Sequence, residues 1–494
     1  SISNNVGSQV FNRVELDGAA SSAADTTVTL TGQALSLQGN SPEIALHANI
    51  AAYGLYYDLQ LPLTLSTQTL LSGDGDANFR ISGVISGTGG LIKTSTSTLT
   101  LTGSNTFGGG VTIQNGTLES RTTKTTLGTG TVTMGGSGST GATYLTGQNN
   151  SNPFVIDAPD SGNIVIGTNS GGSAFTMSGG IALNGNLTLQ TFDNVISGST
   201  VASVGITGGV TGTGNLLLKN LGAAANTITI SGTGLNHSGG LTLEGTASGT
   251  TTITSNIGSN VTDITQNSAS SLMILNGLNS YQGDSTVNAG TLRITQAVAP
   301  ANANPANDAA TVTIAASGAT LDLTYVGTDK VDQLMIGSVR VANGVYGKTG
   351  STAPVIGISQ ITGNGTLTVS EIAQFSSWIA GTFANGAVAN QGPLDDDDKD
   401  GIPNLIEFAL AGLDPTVSNA SPSAITNGVF SFSKRADVAG LTYAIEESTD
   451  LGVSDAWQEV NGASYINATE TISYAPSTGA ADKTFVRLKI SMNP

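Results

Sequence analysis

Short stretches in which apolar residues alternate with threonine or serine recur along most of this chain. In residues 98–118, for example, single threonines separate Leu99 from Leu101 and Val111 from Ile113. Because successive side chains of a strand point to opposite faces, this alternation predicts strands with one apolar and one polar face. Glycine-rich segments lie between the stretches and allow tight turns. The pattern therefore predicts an all-β protein made of many short strands.

The alternating stretches belong to an internal repeat. Residues 83–118, 209–243 and 270–294 share a Gly-Thr-Gly or similar turn, an alternating strand, a Gly/Asn corner and a second strand, and residues 312–324 form a looser copy. Strands this short cannot enclose a core alone, but stacked copies bury a continuous one. We therefore expect a right-handed parallel β-solenoid over residues 70–371, with coils of about 20–25 residues that rise about 4.8 Å each.

The repeat also resembles a known family. The segments "GTGGLIK", "LTLTGSNTFGGGVTI" and "NGTL" in residues 83–118, and "LNGLNSYQGDSTVNAGTLRI" in residues 275–294, resemble the passenger-associated transport repeat of bacterial autotransporter-type surface proteins. The resemblance implies a secreted β-solenoid at the bacterial cell surface or in the extracellular matrix. It implies little about a biochemical activity.

The ends of the chain differ in pattern from its middle. Residues 1–69 are less repetitive and are interpreted as an N-terminal cap or β region, whose Tyr53, Tyr56 and Tyr57 offer an alternative role in stacking on carbohydrate. Residues 372–418 are interpreted as a linker. In residues 419–494, five alternating stretches at short spacing predict a small antiparallel β-sandwich.

Composition narrows the possible partners. Charged residues make up 10% of the 494 residues, and the formal net charge is −18. An acidic chain is not suited to binding nucleic acid or anionic membranes. The chain has no cysteine, hence no disulfide and no Cys-ligated metal. No apolar run is long enough for a membrane-spanning helix.

An acidic run in the linker interrupts this weakly charged sequence. If Gly401 takes position 6 of a twelve-residue calcium loop, each ligand position is filled by a suitable residue type. Carboxylates fall at positions 1, 3, 5 and 12, a backbone carbonyl at position 7 and an amide at position 9. The predicted Ca²⁺ ligands are Asp396, Asp398, Asp400, Ile402, Asn404 and Glu407. A solvated acidic linker or a protease-tag sequence, "DDDDK", is the alternative, but neither explains the Gly-x-x-Asn-x-x-Glu spacing.

A short helix is expected over residues 403–412, but "NQGPL" before the loop cannot form the entering helix of an EF-hand. The loop is similar to the half-motifs of dockerin-like and thrombospondin type 3-like segments. It also resembles the linker that precedes C-terminal modules in surface proteins of Verrucomicrobia-like bacteria. These resemblances imply a calcium ion that stiffens the junction between domains.

The sequence offers little for catalysis. His47 lies in an apolar pattern and His237 in a turn, and acidic residues such as Glu119 do not recur as an evident pair. We therefore expect no enzyme, with a polysaccharide-active one the least favoured reading. The leading hypothesis is an exported structural protein, a rigid stalk that can assemble head to tail into filaments. The alternative is a calcium-stiffened adhesin that binds a surface glycan or protein.

Overall fold

In the computed structural model the chain divides into two units, residues 1–369 and 370–494. The structure describes residues 2–5, 7–18, 26–48, 55–121, 126–168, 174–191, 202–222, 225–296, 310–369, 375, 378–379, 392–422, 424–435, 438, 441–462, 466–467, 471–476 and 484–492. Tyr53 therefore lies outside the described residues.

The first unit is built from parallel strands that stack coil upon coil. One side of the stack is a sheet of 16 described strands, here called the long sheet. In spatial order its strands are Ile2–Asn4, Thr26–Gly32, Leu55–Leu59, Asn78–Ile81, Thr98–Leu101, Asn115–Ser120, Gly141–Thr146, Ile164–Thr168, Leu187–Gln190, Leu216–Asn220, Leu241–Gly245, Ile264–Gln266, Ser285–Val287, Thr311–Ile314, Gln333–Ile336 and Val339–Arg340. Its described pairings are parallel, except that the last strand is antiparallel to its neighbour.

Three further parallel sheets form the other sides. The N-terminal sheet contains Gln9–Phe11, Leu35–Leu37, Leu63–Leu65 and Ile85–Gly87. The second sheet contains Arg13–Leu16, Glu43–Leu46, Thr69–Ser72, Leu91–Lys93, Val111–Ile113, Val132–Met134, Phe154–Ile156, Ile181–Leu183 and Val210–Gly212. The third sheet contains Phe175–Met177, Ser203–Ile206, Thr227–Ile230, Thr251–Ile253, Leu272–Leu275, Gly290–Ile294, Ala319–Leu323 and Ile361–Gly363. The predicted parallel β-solenoid is confirmed.

Apolar residues stack in register through the interior, and the threonines between them face outward. One column passes through fourteen strands of the long sheet, and thirteen of its members are apolar or aromatic while one, Gln266, is a buried amide. The members are Val28, Tyr57, Phe79, Leu99, Leu118, Tyr144, Ile166, Leu189, Leu218, Leu243, Gln266, Val287, Ile314 and Ile336. Each fully buried side chain of leucine size contributes roughly 1.5–3 kcal/mol to folding. Among the described residues, one core cluster of this unit extends from Leu16 to Val369.

The first 69 residues, where the structure describes them, belong to the same stack as the later coils. Their strands begin the long, N-terminal and second sheets and share the same core. Leu35 and Leu37, for example, pair with Leu63 and Leu65 in parallel register. The apolar alternation is the same as in later coils, and only the connecting segments differ in composition. The solenoid therefore begins at the first described strands.

The repeat is not tied to one pair of sides. In the first copy, Leu91–Lys93 lies in the second sheet and Thr98–Leu101 in the long sheet. In the later copy, Ile264–Gln266 lies in the long sheet and Leu272–Leu275 in the third sheet. Coil lengths in the long sheet also vary, from 19 residues between Leu99 and Leu118 to 29 between Leu189 and Leu218. These differing lengths allow the same motif to sit on different sides.

The parallel pattern ends in a mixed sheet. Its strands are Thr328–Val331, Thr366–Val369, Gly344–Lys348 and Val355–Ile358. Thr366–Val369 is antiparallel to Gly344–Lys348, so the coil geometry is not continued there.

The second unit contains two antiparallel sheets and one described helix, Asn404–Ala409. One sheet contains Ala424–Thr426, Val429–Ser433, Thr471–Tyr474 and Ile466–Asn467, and the other contains Gln458–Glu459, Leu441–Ser448 and Phe485–Met492. Phe432 and Ile472 of the first sheet and Ile445 of the second belong to one buried apolar cluster. The region interpreted as a linker also packs into this unit, since Phe408 and Trp378 belong to an apolar cluster that includes Leu441 and Ile490 of the second antiparallel sheet.

Candidate metal centre

The six predicted ligands lie on a loop and on the helix that follows it. A turn precedes the loop: Asp395 N–H donates to Gly392 O at 3.1 Å, and Gly392 N–H donates to the Asp395 carboxylate at 2.7 Å. Asp395 is thus used in the turn, and Asp396 is the first carboxylate of the loop proper. The register deduced from Gly401 also begins at Asp396, and the ligand set stays a prediction.

Backbone N–H groups fix the three loop carboxylates. Gly401 N–H donates to Asp396 Oδ2 at 2.9 Å, Asp400 N–H to Asp398 Oδ1 at 3.1 Å, and Ile402 N–H to Asp400 Oδ1 at 2.7 Å. Gly401 has a φ of +90°, a conformation that glycine adopts without strain. As a result, one oxygen from each of Asp396, Asp398 and Asp400 lies within 4.8 Å of the others.

The helix adds two buried polar side chains. Asn404 is fully buried, and its Nδ2 donates to Gly392 O at 3.1 Å, which ties the helix start to the turn. Glu407 is 1% exposed, and neither of its carboxylate oxygens has a hydrogen-bond partner among the described residues. Asp396 Oδ1 and Asp398 Oδ2 are also buried without a donor. Leaving so many buried oxygens unpaired is costly unless another species satisfies them.

The electrostatics of the site lead to the same conclusion. Burial, followed by the charges of Asp398, Asp400 and Asp396, raises the pKa of Glu407 to about 8. Burial also raises the pKa of Asp398, against a lowering hydrogen bond from Asp400 N–H, with Asp400 and Asp396 adding to the rise. Ionised carboxylates are thus unfavourable here without a cation. A hard divalent cation would reverse the sign of these interactions, and oxygen-only donors suit Ca²⁺.

Two residues that the sequence reasoning missed support the loop from the other side. Asn419 N–H donates to Asp400 Oδ2 at 2.6 Å, and Asn419 Oδ1 accepts a hydrogen bond from Asp414 N–H at 2.8 Å. Asp414 also contributes to the raised pKa of Glu407. The "LDPT" turn at residues 413–416 was the available signal, because Asp-Pro commonly begins a turn.

The histidines considered for catalysis lie elsewhere. His237 is fully buried in the solenoid, burial lowers its pKa, and its Nε2 lies 3.4 Å from Gly240 O. His47 Nδ1 lies 2.6 Å from an Asp74 carboxylate oxygen in a turn. Both positions fit the structural roles expected for them, and the absence of enzymatic activity stays a prediction.

The fold defines the first unit as a parallel β-solenoid. Residues 91–119 and 272–294 match the model of the Passenger-associated-transport-repeat. No curated protein and no solved structure matches the chain. The repeat and the parallel sheets together support an autotransporter-type passenger solenoid, and they indicate an exported surface protein. Among the described residues, no helix is both long enough and apolar enough to cross a membrane.

Proposed function

We propose that this chain is a structural protein of the bacterial cell surface or extracellular matrix. In this role it is a rigid stalk that assembles head to tail. The observation that carries the proposal is the in-register column of buried or half-buried side chains, thirteen of them apolar or aromatic, through fourteen strands of the long sheet. Bending such a stack would separate layers that share one dry interior, so the solenoid resists deformation.

Self-association is supported by the first coil. Ile2–Asn4, Gln9–Phe11 and Arg13–Leu16 each pair on only one side among the described strands. Ile2 and Val10 are 62% and 65% exposed, and Phe11 is 40% exposed. Open edges with apolar side chains are typical sites for adding another strand. The mixed sheet at residues 328–369 offers a different surface, as a head-to-tail contact requires.

A calcium ion in the second unit is part of the proposal. It would be held by Asp396, Asp398, Asp400 and Glu407, with the Ile402 carbonyl and Asn404 completing the set. Support comes from the buried, unpaired oxygens of Glu407 and from the close approach of the three Asp carboxylates. Its role would be to hold the loop, the helix and the "LDPT" turn together. The similarity of this unit to the terminal modules of Verrucomicrobia-like surface proteins stays a prediction.

Electron microscopy of the purified full chain tests the assembly. We expect regular fibres that lengthen with protein concentration. Val10→Lys places a charge on an edge strand and should abolish them. Leu278→Lys is the matched control, because Leu278 is 61% exposed but lies outside both the first coil and the mixed sheet. Monodisperse particles at every concentration would reject self-association and favour the adhesin alternative.

A further inference from the structure

A polar groove crosses the outer face of the long sheet near its N-terminal end. Its volume is about 710 Å³, and it spans the strands Leu55–Leu59, Asn78–Ile81, Thr98–Leu101 and Asn115–Ser120. Elsewhere threonine recurs along this outer face, beside apolar residues such as Leu145 and Leu217 and the Lys219–Glu244 ion pair. Here it carries two of the seven arginines of the chain, two carboxylates and an exposed tyrosine.

The charged residues follow one line along the sheet. Asp58 pairs with Arg80, Arg80 with Thr100, and Thr100 with Glu119, each on the next strand. The parallel register therefore places a carboxylate, a guanidinium, a hydroxyl and a second carboxylate at successive steps of about 4.8 Å. This step is close to the length of one pyranose residue in an extended β-1,4-linked chain.

Each arginine is held by a buried carboxylate. Arg80 Nη2 donates to Asp58 Oδ2 at 2.6 Å, and Asp58 also accepts hydrogen bonds from Gln60 and Ser82. Arg121 Nε lies 2.7 Å from Glu119 Oε1 and forms an ion pair with it, but without the alignment of a hydrogen bond. The carboxylates are almost fully buried, whereas both arginine side chains are about half exposed. The hydrogen bond to Asp58 fixes the guanidinium of Arg80, the ion pair with Glu119 holds that of Arg121 nearby, and part of each faces solvent.

Stiffness does not require this arrangement. Burying a carboxylate costs desolvation energy that a threonine would not incur, and threonine occupies equivalent positions on adjacent strands, such as Thr29 and Thr100. A pre-organised set of planar donors beside an exposed ring is instead typical of a ligand site. Tyr56, 41% exposed, provides that ring, and Asn78 pairs with it on the next strand.

We propose that this groove binds a neutral β-1,4-linked oligosaccharide along the solenoid axis. The ring of Tyr56 packs against the C–H face of one sugar. Arg80 and Arg121 donate hydrogen bonds to pairs of hydroxyl groups on sugars further along the oligosaccharide. A neutral ligand fits because each arginine is already balanced by its own carboxylate. The inference does not depend on self-association.

The groove binds without cleaving. Asp58 and Glu119 are three strand steps apart, about 14 Å. Glycosidases place their two carboxyl groups about 5–9.5 Å apart. The carboxylates are therefore positioning residues for the arginines and do not form a hydrolytic pair.

Isothermal titration of the full chain with cellohexaose, chitohexaose and an oligouronate of equal length tests the proposal. We expect binding of at least one neutral hexamer. Tyr56→Ala and Arg80→Lys should each weaken it by about tenfold or more, since Lys keeps the charge but lacks the planar fork. Lys219→Ala is the control, because Lys219 lies on the outer face of the same sheet, 3.8 Å from Glu244 and far from the groove.

Several results would overturn the inference. One is that no hexamer binds to chain whose circular dichroism and melting midpoint show it to be folded. Another is that only the oligouronate binds, which would make the site anionic-ligand specific. A third is that both groove variants bind as tightly as Lys219→Ala. Fibre formation is read separately, so loss of sugar binding and loss of assembly are distinguishable.

Discussion

Asn105 Oδ1 accepts a hydrogen bond from the backbone N–H of Ile85, twenty residues earlier in the chain, at 2.8 Å. The next residue, Thr106, donates its own N–H to Ile85 O at 2.9 Å. The later repeat copy contains the same pair of bonds: Asn279 Oδ1 accepts from Ile257 N–H at 3.0 Å, and Ser280 N–H donates to Ile257 O at 2.8 Å. In both copies an asparagine side chain supplies the carbonyl that a further strand would otherwise supply.

This role makes Asn105 important for stability. Asn105 Nδ2 also donates to Thr126 O at 2.7 Å, so Asn105→Ala leaves a buried N–H and a buried carbonyl unpaired. We expect a loss of about 1–3 kcal/mol in the free energy of unfolding. Urea denaturation measures it. Ser104→Ala, at the exposed neighbouring position, should stay within about 0.5 kcal/mol of the parent. Equal midpoints for the two variants would contradict the assigned role.

Two adjacent glycines give a matched test of coil stacking. A Cβ on Gly109 would lie 2.5 Å from the backbone of Gly89 and Gly90 in the preceding coil, whereas one on Gly108 would meet nothing within 4 Å. Gly109→Ala should therefore destabilise the protein by about 1–3 kcal/mol or more. Gly108→Ala should change the stability of the protein little. Thermal melts of both variants provide the comparison, and a similar tolerance at both positions would show that the coils are not packed this closely.

Because Lys93 is buried, we expect the free energy of unfolding to depend on pH. It is 1% exposed, and its ammonium group donates to Ser95 O at 2.5 Å and Asn115 O at 3.1 Å, both uncharged acceptors. Burial lowers the pKa of Lys93 to about 7 from its ordinary 10.5. Between these two values the unfolded chain binds more protons than the folded one. The contribution of Lys93 to the free energy of unfolding should therefore increase as the pH rises from about 7 to about 10.5, by up to about 1.4 kcal/mol per pH unit.

Lys93→Gln is the matched variant for this test. Gln266, also fully buried, donates through its amide to Ser271 O and Thr291 O, so glutamine can serve a comparable role without charge. We expect the slope of unfolding free energy between pH 7 and pH 10 to flatten in Lys93→Gln. An unchanged slope would mean that another group titrates in this range.

Calcium should stabilise the second unit. At a hundred times its dissociation constant, an ion that binds only the folded state adds about 2.7 kcal/mol, a shift of roughly 10 °C in the melting midpoint of this unit. Chelation should remove the shift. Glu407→Gln should abolish it while leaving the calcium-free protein at least as stable, because a buried unpaired carboxylate is removed.

Asp398→Asn and Asp397→Asn separate ligation from charge. Both remove one negative charge from the acidic run, but only Asp398 belongs to the group of carboxylates that converge. Asp398→Asn should weaken calcium binding, measured by titration calorimetry, by at least about tenfold. Asp397→Asn should have a small effect. If chelation changes no melting transition and elemental analysis finds no calcium, the site is not a calcium site.

Much of the fold could be predicted because the apolar alternation is local. Leu99 and Leu101 identify their own strand, and Gly401 fixes the register of the acidic loop without knowledge of the rest of the chain. The sequence pattern did not reveal that the strands of residues 1–69 join the same stack, because the connecting segments there hide the alternation seen in Leu35 and Leu37.

The groove could not be predicted for a different reason. Asp58, Arg80 and Glu119 are 22 and 39 residues apart, and no fixed period joins them. Their alignment depends on the individual lengths of the coils between them, which range widely in the long sheet. Only the pairing of neighbouring strands brings them into one line. Likewise, the support that Asn419 gives to Asp400 is a tertiary contact with no local signature.

The freedom of the repeat to occupy either pair of sides has a consequence for how such chains evolve. A motif that brings its own corner asparagine, its two strands and its glycine turn does not need a particular neighbour beneath it. Gene duplication or deletion of whole units would then change the number of stacked coils while each remaining layer keeps a neighbouring coil. Recombination can therefore adjust the length of the solenoid one repeat unit at a time, independently of any ligand site on its surface.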